Sequence, residues 1–232
     1  SMLQSDNWEL AFVCSKYQSA TEEVNSQIAQ INDIVKGYDE NAMVIGEAPM
    51  MKDLEDVTNI DLQSVNTVSM AAIFIIIMII FKSISLPIIL VAVIEFAIAV
   101  NMAVPFYQNI SLPFVASIVV GTIQLGATVD YAILMTTRYK RERNHGANKY
   151  DSITTAHRVS AQSIMVSALS FFAATIGVGL YSNIDMISSL CILMARGALI
   201  SMVVVIFVLP SMFMVFDKVI VKTSKGFLPP KE

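Results

Sequence analysis

One carboxylate, that of Asp130, lies inside an otherwise apolar stretch that runs from about residue 112 to residue 137. A stretch of this length can cross a bilayer, which needs about 20 apolar residues. An ionised carboxylate in hydrocarbon costs several kcal/mol, so we treat Asp130 as a candidate functional group. Neutralising such a group costs less than burying its charge, so its usual chemistry is to bind and release a proton. The alternative is a buried ion-pair partner with no part in transport.

Small side chains on the Asp130 face predict a close contact with a neighbouring helix. Gly126 and Ala127 precede Asp130 by four and three residues, which places them on the same helical face. Small residues at such positions allow helix backbones to approach each other in a membrane. A stripe in the next apolar segment, which includes Ser163 and Ser167, has comparable spacing, and we interpret it as helix packing.

Three polar side chains, those of Gln124, Thr128 and Tyr131, share an adjacent face of the same predicted helix. Their spacing of four and three residues stacks them along the helix axis. Two of the three carry hydroxyl groups, which can both donate and accept hydrogen bonds. This stripe is therefore a candidate relay that supports proton transfer at Asp130.

Arg196 is the only basic residue deep in any apolar segment of the sequence, and it therefore needs a counter-ion. Asp130 and Glu95 are the only carboxylates within the apolar segments, so one of them is the expected partner. The alternative is that the Arg196 side chain extends to the membrane interface. Glu95, with Asn101 six residues further on, is either a second titratable site or a structural hydrogen-bonding group.

Composition and charge predict a membrane domain joined to an acidic domain in water. The 232 residues are 55% hydrophobic, with a mean hydropathy of +0.65. Residues 1–62 hold twelve acidic residues against three lysines, a net charge of −9, whereas residues 63–232 carry +5.

Cys14 and Cys191 lie far apart, so we expect neither a disulfide nor a metal site. The sequence lacks phosphate-loop, nucleophile-elbow and HExxH motifs, so we expect no enzyme activity and no cofactor.

The acidic region predicts a strand–helix–strand unit followed by a helix that leads into the membrane. The predicted elements are a strand over residues 8–17, a helix from a capping box at Ser19 and Glu22 to Gly37, a strand over residues 42–46, and a helix over residues 50–66. A βαβ unit of this size cannot bury both of its faces alone. We therefore interpret it as half of a small α/β subdomain.

Five apolar segments follow, and the basic residues between them predict the orientation. The segments cover residues 65–81, 87–105, 112–137, 161–181 and 186–210. The connection over residues 138–158 carries six Lys or Arg, whereas the connections near Gln108 and Asn183 carry none. The positive-inside rule places this loop and the C-terminus in the cytoplasm and residues 1–62 outside the cell membrane. We divide the chain into residues 1–62, a transmembrane domain over residues 63–215, and a basic tail over residues 216–232.

The sequence IQLGATVDYAILMTTRYKRER resembles the membrane domain of the MMPL branch of the RND superfamily. The later motifs RGALIS and VLPSMFMVFDKVI, and the turn FKSISLPIIL after the first span, support the same resemblance. Members of this family contain two repeats, each with one helix, a large extracytoplasmic porter domain and five further helices. The chain resembles the end of one porter domain and the five helices after it, and its tail favours the second repeat. The implied fold is mainly α, the five-transmembrane-helix half of an RND-type domain after a partial βαβ porter subdomain.

The resemblance implies transport driven by the proton-motive force, usually export of lipids, hydrophobic compounds or drugs. The family's Asp–Tyr pair corresponds to Asp130 and Tyr131, and each pair hydrogen-bonds its counterpart in the other repeat. Some relatives use a basic residue in the last helix, and Arg196 is the residue placed to match it. The implied partners are the N-terminal repeat of the same protein, membrane lipids and a hydrophobic or lipid substrate, with a homo-oligomer as a further option and no nucleic acid.

A second function class shares the same five-helix core. A lipid- or sterol-sensing membrane module would bind lipid with these helices and would carry out no vectorial transport. Two repeats with two Asp–Tyr pairs in the full-length gene favour transport, whereas one repeat fused to a signalling or processing domain favours sensing. A secretion accessory of the same superfamily is the less favoured third class, because its helix motifs differ from GATVDY.

Overall fold

The computed structural model describes residues 4–5, 8–17, 21–108 and 120–224. The chain divides into two compact units, residues 1–61 and residues 62–232. The fold is mainly helical, as predicted, and the boundary between the two units falls inside one long helix.

The first unit contains a two-stranded ribbon and one amphipathic helix. Strands β1 (Gln4–Ser5) and β2 (Trp8–Glu9) pair antiparallel, and helix α1 covers Glu22–Tyr38. The N-cap of α1 is Thr21, whose hydroxyl accepts a hydrogen bond of 3.4 Å from the Val24 amide. The predicted cap, Ser19, lies outside the described residues. Val24 and Ile28 are the buried residues of α1, one helical turn apart.

The predicted βαβ arrangement is not found in the described residues. The first predicted strand is reduced to β2, because residues 10–15 have no strand pairing, and residues 42–46 form no strand. A strand is stable only where a neighbouring strand supplies the hydrogen bonds of the ladder. Residues 10–15 and 42–46 have no such neighbour among the described residues, so they form no strand ladder.

Five long helices follow. They are α2 (Glu47–Phe81), α3 (Ser85–Tyr107), α4 (Leu125–Asn144), α5 (Lys149–Tyr181) and α6 (Asp185–Thr223), and a π-helical segment (Val120–Gln124) leads directly into α4. The helix predicted over residues 50–66 is confirmed as part of α2. The predicted tail from residue 216 is partly wrong, because α6 continues to Thr223 and Asp217 and Ile220 are buried in it.

Four of these helices, α2, α3, α5 and α6, are long and apolar enough to span a bilayer. The third predicted span begins near residue 112, and residues 109–119 lie outside the described part of the chain. What is described of that segment is the π-helical turn and α4, which runs past the predicted end at residue 137 into a charged sequence.

The second unit has one main hydrophobic core. Buried side chains of α2 to α6 meet in it, among them Ile77, Leu90, Met135, Ile164 and Leu209, each at most 1% exposed. Their burial stabilises the bundle in the way that close packing stabilises any protein interior. α4 lies in this bundle, and the core therefore fixes which of its residues face inward and which face outward.

Candidate functional site

Asp130 lies on the outward face of α4. It is exposed, and it lines an open groove of about 400 Å³ with Ile133, Leu134, Thr137 and two arginines, Arg138 and Arg141. Among the described residues Asp130 has no hydrogen bond and no ion pair. An acidic side chain is thus presented on an apolar helix surface without a partner in this part of the chain.

The residues around Asp130 form a continuous outward stripe, which we call the Asp130 face. It consists of the exposed residues Ile123, Gly126, Asp130, Leu134, Thr137 and Arg141. Their spacing of three or four residues follows the period of an α-helix, so they share one side of α4. A Cβ atom added to Gly126 would meet no atom within 4 Å, so the face is open at that point.

Tyr131 points into the bundle rather than along the Asp130 face. Its side chain is 5% exposed and belongs to the main hydrophobic core. Consecutive residues of an α-helix are separated by about 100° around the axis, which accounts for the different environments of Asp130 and Tyr131.

Gln124 is the centre of a buried polar network in the bundle. Its Oε1 atom accepts a hydrogen bond of 2.8 Å from Asn101 Nδ2, and its Nε2 atom donates to Ser201 Oγ at 3.1 Å. Nε2 also lies 3.3 Å and 3.5 Å from the carbonyl oxygens of Ala97 and Gly197. We call this the Gln124 network; it connects the start of α4 to both α3 and α6.

Thr128 extends the Gln124 network by one helical turn. Its hydroxyl is fully buried and lies 2.7 Å from Ser201 Oγ and 2.6 Å from the Gln124 carbonyl oxygen. Thr128 and Asp130 are about 200° apart around the axis of α4. The polar stripe predicted from the sequence therefore faces the core, and its hydrogen bonds join helices instead of leading to Asp130.

Arg196 is bound by Asn101 and not by a carboxylate. Its Nε atom donates to Asn101 Oδ1 at 2.8 Å, and its Nη2 atom donates to the Asn101 carbonyl oxygen at 3.1 Å. The prediction that Asp130 or Glu95 is its counter-ion is wrong within the described residues. Glu95 is half-buried on α3 and has no hydrogen bond or ion pair in this part of the chain.

The register of the helices explains why Arg196 and Asp130 do not meet. Ser201 contacts Gln124 and Thr128, and further along Phe213 stacks on Tyr139 with ring centroids 4.9 Å apart, so α4 and α6 run parallel. Ser201 follows Arg196 by five residues, and the midpoint of its two contacts on α4, Gln124 and Thr128, precedes Asp130 by four. Arg196 and Asp130 are therefore separated by about nine residues of helix. At a rise of about 1.5 Å per residue, this is a separation of roughly 13 Å along the bundle.

The network requires glycine at position 197. A Cβ atom there would lie 2.7 Å from Asn101 Nδ2 and 2.8 Å from Gln124 Oε1, closer than real side-chain contacts allow. Sequence reasoning missed Gly197 and Ser201, although both lie within the motif RGALIS directly after Arg196. Small residues four positions apart beside an intramembrane arginine were the available signal.

The packing of small residues against a neighbouring helix stays a prediction. Gly126, Ser163 and Ser167 are exposed in this chain, whereas Ala127 is partly buried. The close approach of α5 and α6 occurs at Gly179, where a Cβ atom would lie 2.9 Å from Ile192 Cγ1. The stripe of Ser163 and Ser167 lies on the outward side of α5, so the helix that it would pack against lies outside the described bundle.

A second buried polar cluster joins α4 to α6 at their C-terminal ends. Arg143 is 2% exposed and its Nη2 atom lies 3.1 Å from Asp217 Oδ2, while the Tyr139 hydroxyl donates to the other carboxylate oxygen of Asp217. Burial and the neighbouring Asp217 carboxylate raise the pKa of the Tyr139 phenol, so it remains neutral. Arg143 was predicted only as part of a basic loop that sets orientation, and its role as a buried ion-pair partner was missed.

Lys140 links α4 to the end of α2. Its Nζ atom donates to the Phe81 carbonyl oxygen at 2.8 Å, which satisfies a C-terminal helix carbonyl and places a cation at the negative end of the helix dipole. Burial, with Lys82 nearby, lowers the pKa of Lys140. α4 is thus connected to α2, α3 and α6, while its Asp130 face carries none of these contacts.

Comparison with protein families finds one match that covers almost the whole chain. The model of the MMPL family matches residues 1–226. No curated protein matches the chain.

Proposed function

Because the chain belongs to the MMPL family, we propose that it is the membrane domain of a transporter driven by the proton-motive force. Its cargo would be lipids, hydrophobic compounds or drugs, moved outward. The membrane character rests on four apolar helices of spanning length and on the family itself. In this proposal residues 1–62 lie outside the cell membrane, and the 138–158 loop and the C-terminus lie in the cytoplasm.

The observation that carries the proposal is the exposed and unpaired Asp130 on an apolar helix surface. The buried polar side chains of the Gln124 network are hydrogen-bonded to one another, so the fold satisfies such groups where they are structural. Among the described residues Asp130 has no such partner, a property that it shares with the half-buried Glu95 of α3, and Asp130 is the one of the two that lines the open groove. A group of this kind is expected to change its charge during the working cycle.

The Asp130 face is the proposed contact for the other repeat of the protein. Gly126 leaves room for a second helix, and Asp130 lies one turn further along the same face. When Asp130 is protonated, the face is uncharged from Ile123 to Thr137 and can lie against an apolar surface there, while Arg141 keeps its charge at the C-terminal end of the face. When Asp130 is ionised, the same contact requires a hydrogen-bond donor or water, so proton binding alters the stability of the contact.

Two polar clusters join α4 to the rest of the bundle. The Gln124 network connects the start of α4 to α3 and α6, and the Arg143–Asp217 pair connects its end to α6. We propose that a shift of α4 caused by Asp130 protonation moves these helices together instead of bending α4 alone. Tyr131 follows Asp130 in the sequence, but its side chain is 5% exposed and points into the core. We propose that it donates a hydrogen bond to a carboxylate of the other repeat only after the shift of α4 has turned it toward the Asp130 face.

The test is transport by the full-length protein in proteoliposomes under an imposed pH gradient, with fluorescent lipids and hydrophobic dyes as cargo. Asp130→Asn is expected to abolish transport, because the amide mimics the protonated acid and cannot release a proton. Asp185→Asn, the same change at an exposed residue at the start of α6, is the matched control and should keep wild-type transport. Undiminished transport by Asp130→Asn would remove Asp130 from the mechanism.

A further inference from the structure

Arg196 carries a positive charge that the bundle does not neutralise. It lies in the spanning helix α6, and in the described part of the chain it forms no ion pair. Asn101 supplies two neutral acceptors, its side-chain and main-chain oxygens. An intramembrane arginine is costly without a negative partner, so hydrogen bonds to a neutral amide leave the charge itself uncompensated.

Two hydrogen bonds hold the Arg196 guanidinium in one orientation and leave its other N–H donors unused. A guanidinium has five N–H groups. Two of them bind Asn101, which leaves three on the Nη atoms, and the side chain is only partly buried. Asn101 is itself fixed, because its Nδ2 atom donates to Gln124 Oε1 at 2.8 Å and to the Leu193 carbonyl at 3.3 Å. The three remaining N–H donors, which we call the Arg196 fork, are therefore pre-organised to bind a planar or tetrahedral oxyanion.

The depth of this fork matches the outer part of a membrane leaflet. Phe106 and Tyr107, at the end of α3, are 80% and 82% exposed and resemble the aromatic residues that lie at membrane interfaces. Asn101 precedes Tyr107 by six residues, which is about 9 Å along the helix. In the proposed orientation this is the extracytoplasmic side, so the Arg196 fork lies just below that interface.

An exposed apolar track begins at Arg196 and continues along α6. Val203 is 49% exposed and Phe207 is 66% exposed, and both follow Arg196 at helical spacing. From Arg196 to Phe207 the track covers about 16 Å of helix. The positive guanidinium at one end of the track complements an acidic head group. The apolar surface that leads from it into the membrane complements an apolar chain.

We propose that Arg196 and the α6 track bind an anionic amphiphile, whose carboxylate or phosphate is held by the guanidinium and whose chain lies on Val203 and Phe207. Asn101 is a positioning residue for this site. The site does not rest on the proposed role of Asp130, which lies roughly 13 Å further along the bundle. Failure of proton transport therefore leaves this proposal standing, and failure of binding here leaves the Asp130 mechanism standing.

The test is photolabelling of the full-length protein in nanodiscs of zwitterionic lipid. The probes are a fatty acid with a photoreactive group in its chain, the methyl ester of that acid, and a phosphatidylglycerol with the same group, and labelled residues are mapped by mass spectrometry. All three probes are compared on the wild-type protein, so the first result needs no variant. We expect the fatty acid to label α6 near Val203 and Phe207 at least about tenfold more than its ester. Labelling by the phosphatidylglycerol instead would identify the phosphate as the head group.

Variants then assign the charge to Arg196. Arg196→Gln, which can still donate to Asn101, should reduce labelling by the acidic probe to the level of the ester, and Arg196→Lys should retain part of it. Arg158→Gln, the same change at an exposed residue of α5, is the matched control and should label as the wild type does. Equal labelling by acid and ester, or undiminished labelling of Arg196→Gln, would overturn the proposal. Equal labelling by acid and ester would indicate that an acidic side chain from elsewhere in the protein occupies the fork, whereas undiminished labelling of Arg196→Gln would indicate that another cation binds the head group.

Discussion

Thr128 and Asp130 lie two residues apart on α4 and face opposite ways. The Thr128 hydroxyl is fully buried and lies 2.7 Å from Ser201 Oγ, whereas Asp130 is exposed and has no partner in the described part of the chain. The side of α4 that carries Thr128 therefore holds the bundle together. The other side presents a single carboxylate, that of Asp130.

Gly197→Ala should destabilise the bundle through the Gln124 network. The added methyl group would lie 2.7 Å from Asn101 Nδ2, so the network must shift or break, at a cost of about 1–3 kcal/mol. Gly177→Ala is the matched control, because a Cβ atom there meets nothing within 4 Å and alanine favours the helix. Thermal unfolding of both variants in detergent measures the difference. Equal unfolding temperatures for the two variants would contradict the close packing at Gly197.

Asp217→Asn should be strongly destabilising. It leaves Arg143, which is 2% exposed, without its counter-charge, and loss of one partner of a buried pair costs about 3–5 kcal/mol. Tyr139→Phe removes a hydrogen bond to the same carboxylate but keeps the Arg143–Asp217 ion pair, and it should cost about 1 kcal/mol. Thermal unfolding of the two variants gives the comparison. A loss for Asp217→Asn no larger than that for Tyr139→Phe would show that the ion pair contributes little.

Tyr131→Phe tests the proposed hydrogen bond to the other repeat. If the Tyr131 hydroxyl binds an ionised carboxylate there, its loss raises that carboxylate's pKa, and the pH profile of transport shifts to alkaline pH by about one unit. Phenylalanine keeps the ring in the core, so the fold should be preserved. Tyr150→Phe, at a 58% exposed position, is the matched control. Superimposable profiles for Tyr131→Phe and wild type would exclude the relay role.

The sequence predicted the helices and the candidate acid because these depend on local pattern. Long apolar runs specify α2, α3, α5 and α6, and one acidic residue in such a run marks Asp130 without any knowledge of packing. The predicted strands failed because strand formation depends on a partner elsewhere, and an isolated run of β-forming residues does not contain that information.

The sequence pattern could not predict which side chains on different helices bind each other. Asn101 and Arg196 are 95 residues apart, and Arg143 and Asp217 are 74 residues apart. The charge of Arg196 alone predicted a carboxylate as its partner. The register of α3 and α6 instead places the Asn101 amide next to it. The sequence pattern also placed Thr128 on a face adjacent to that of Asp130, whereas the two are about 200° apart, and only the packed bundle shows that Thr128 is the one that faces inward.

The most direct test of the central claim is to observe the Asp130 carboxyl while it titrates, which requires no knowledge of the cargo. Infrared difference spectra of the full-length protein in lipid, recorded from about pH 5 to pH 9, detect a carboxylic acid that gains or loses its proton. We predict a signal that is present in the wild type, absent in Asp130→Asn and retained in Glu95→Gln, which removes the other carboxylate of the apolar segments. Identical pH-dependent spectra for wild type and Asp130→Asn would contradict the account.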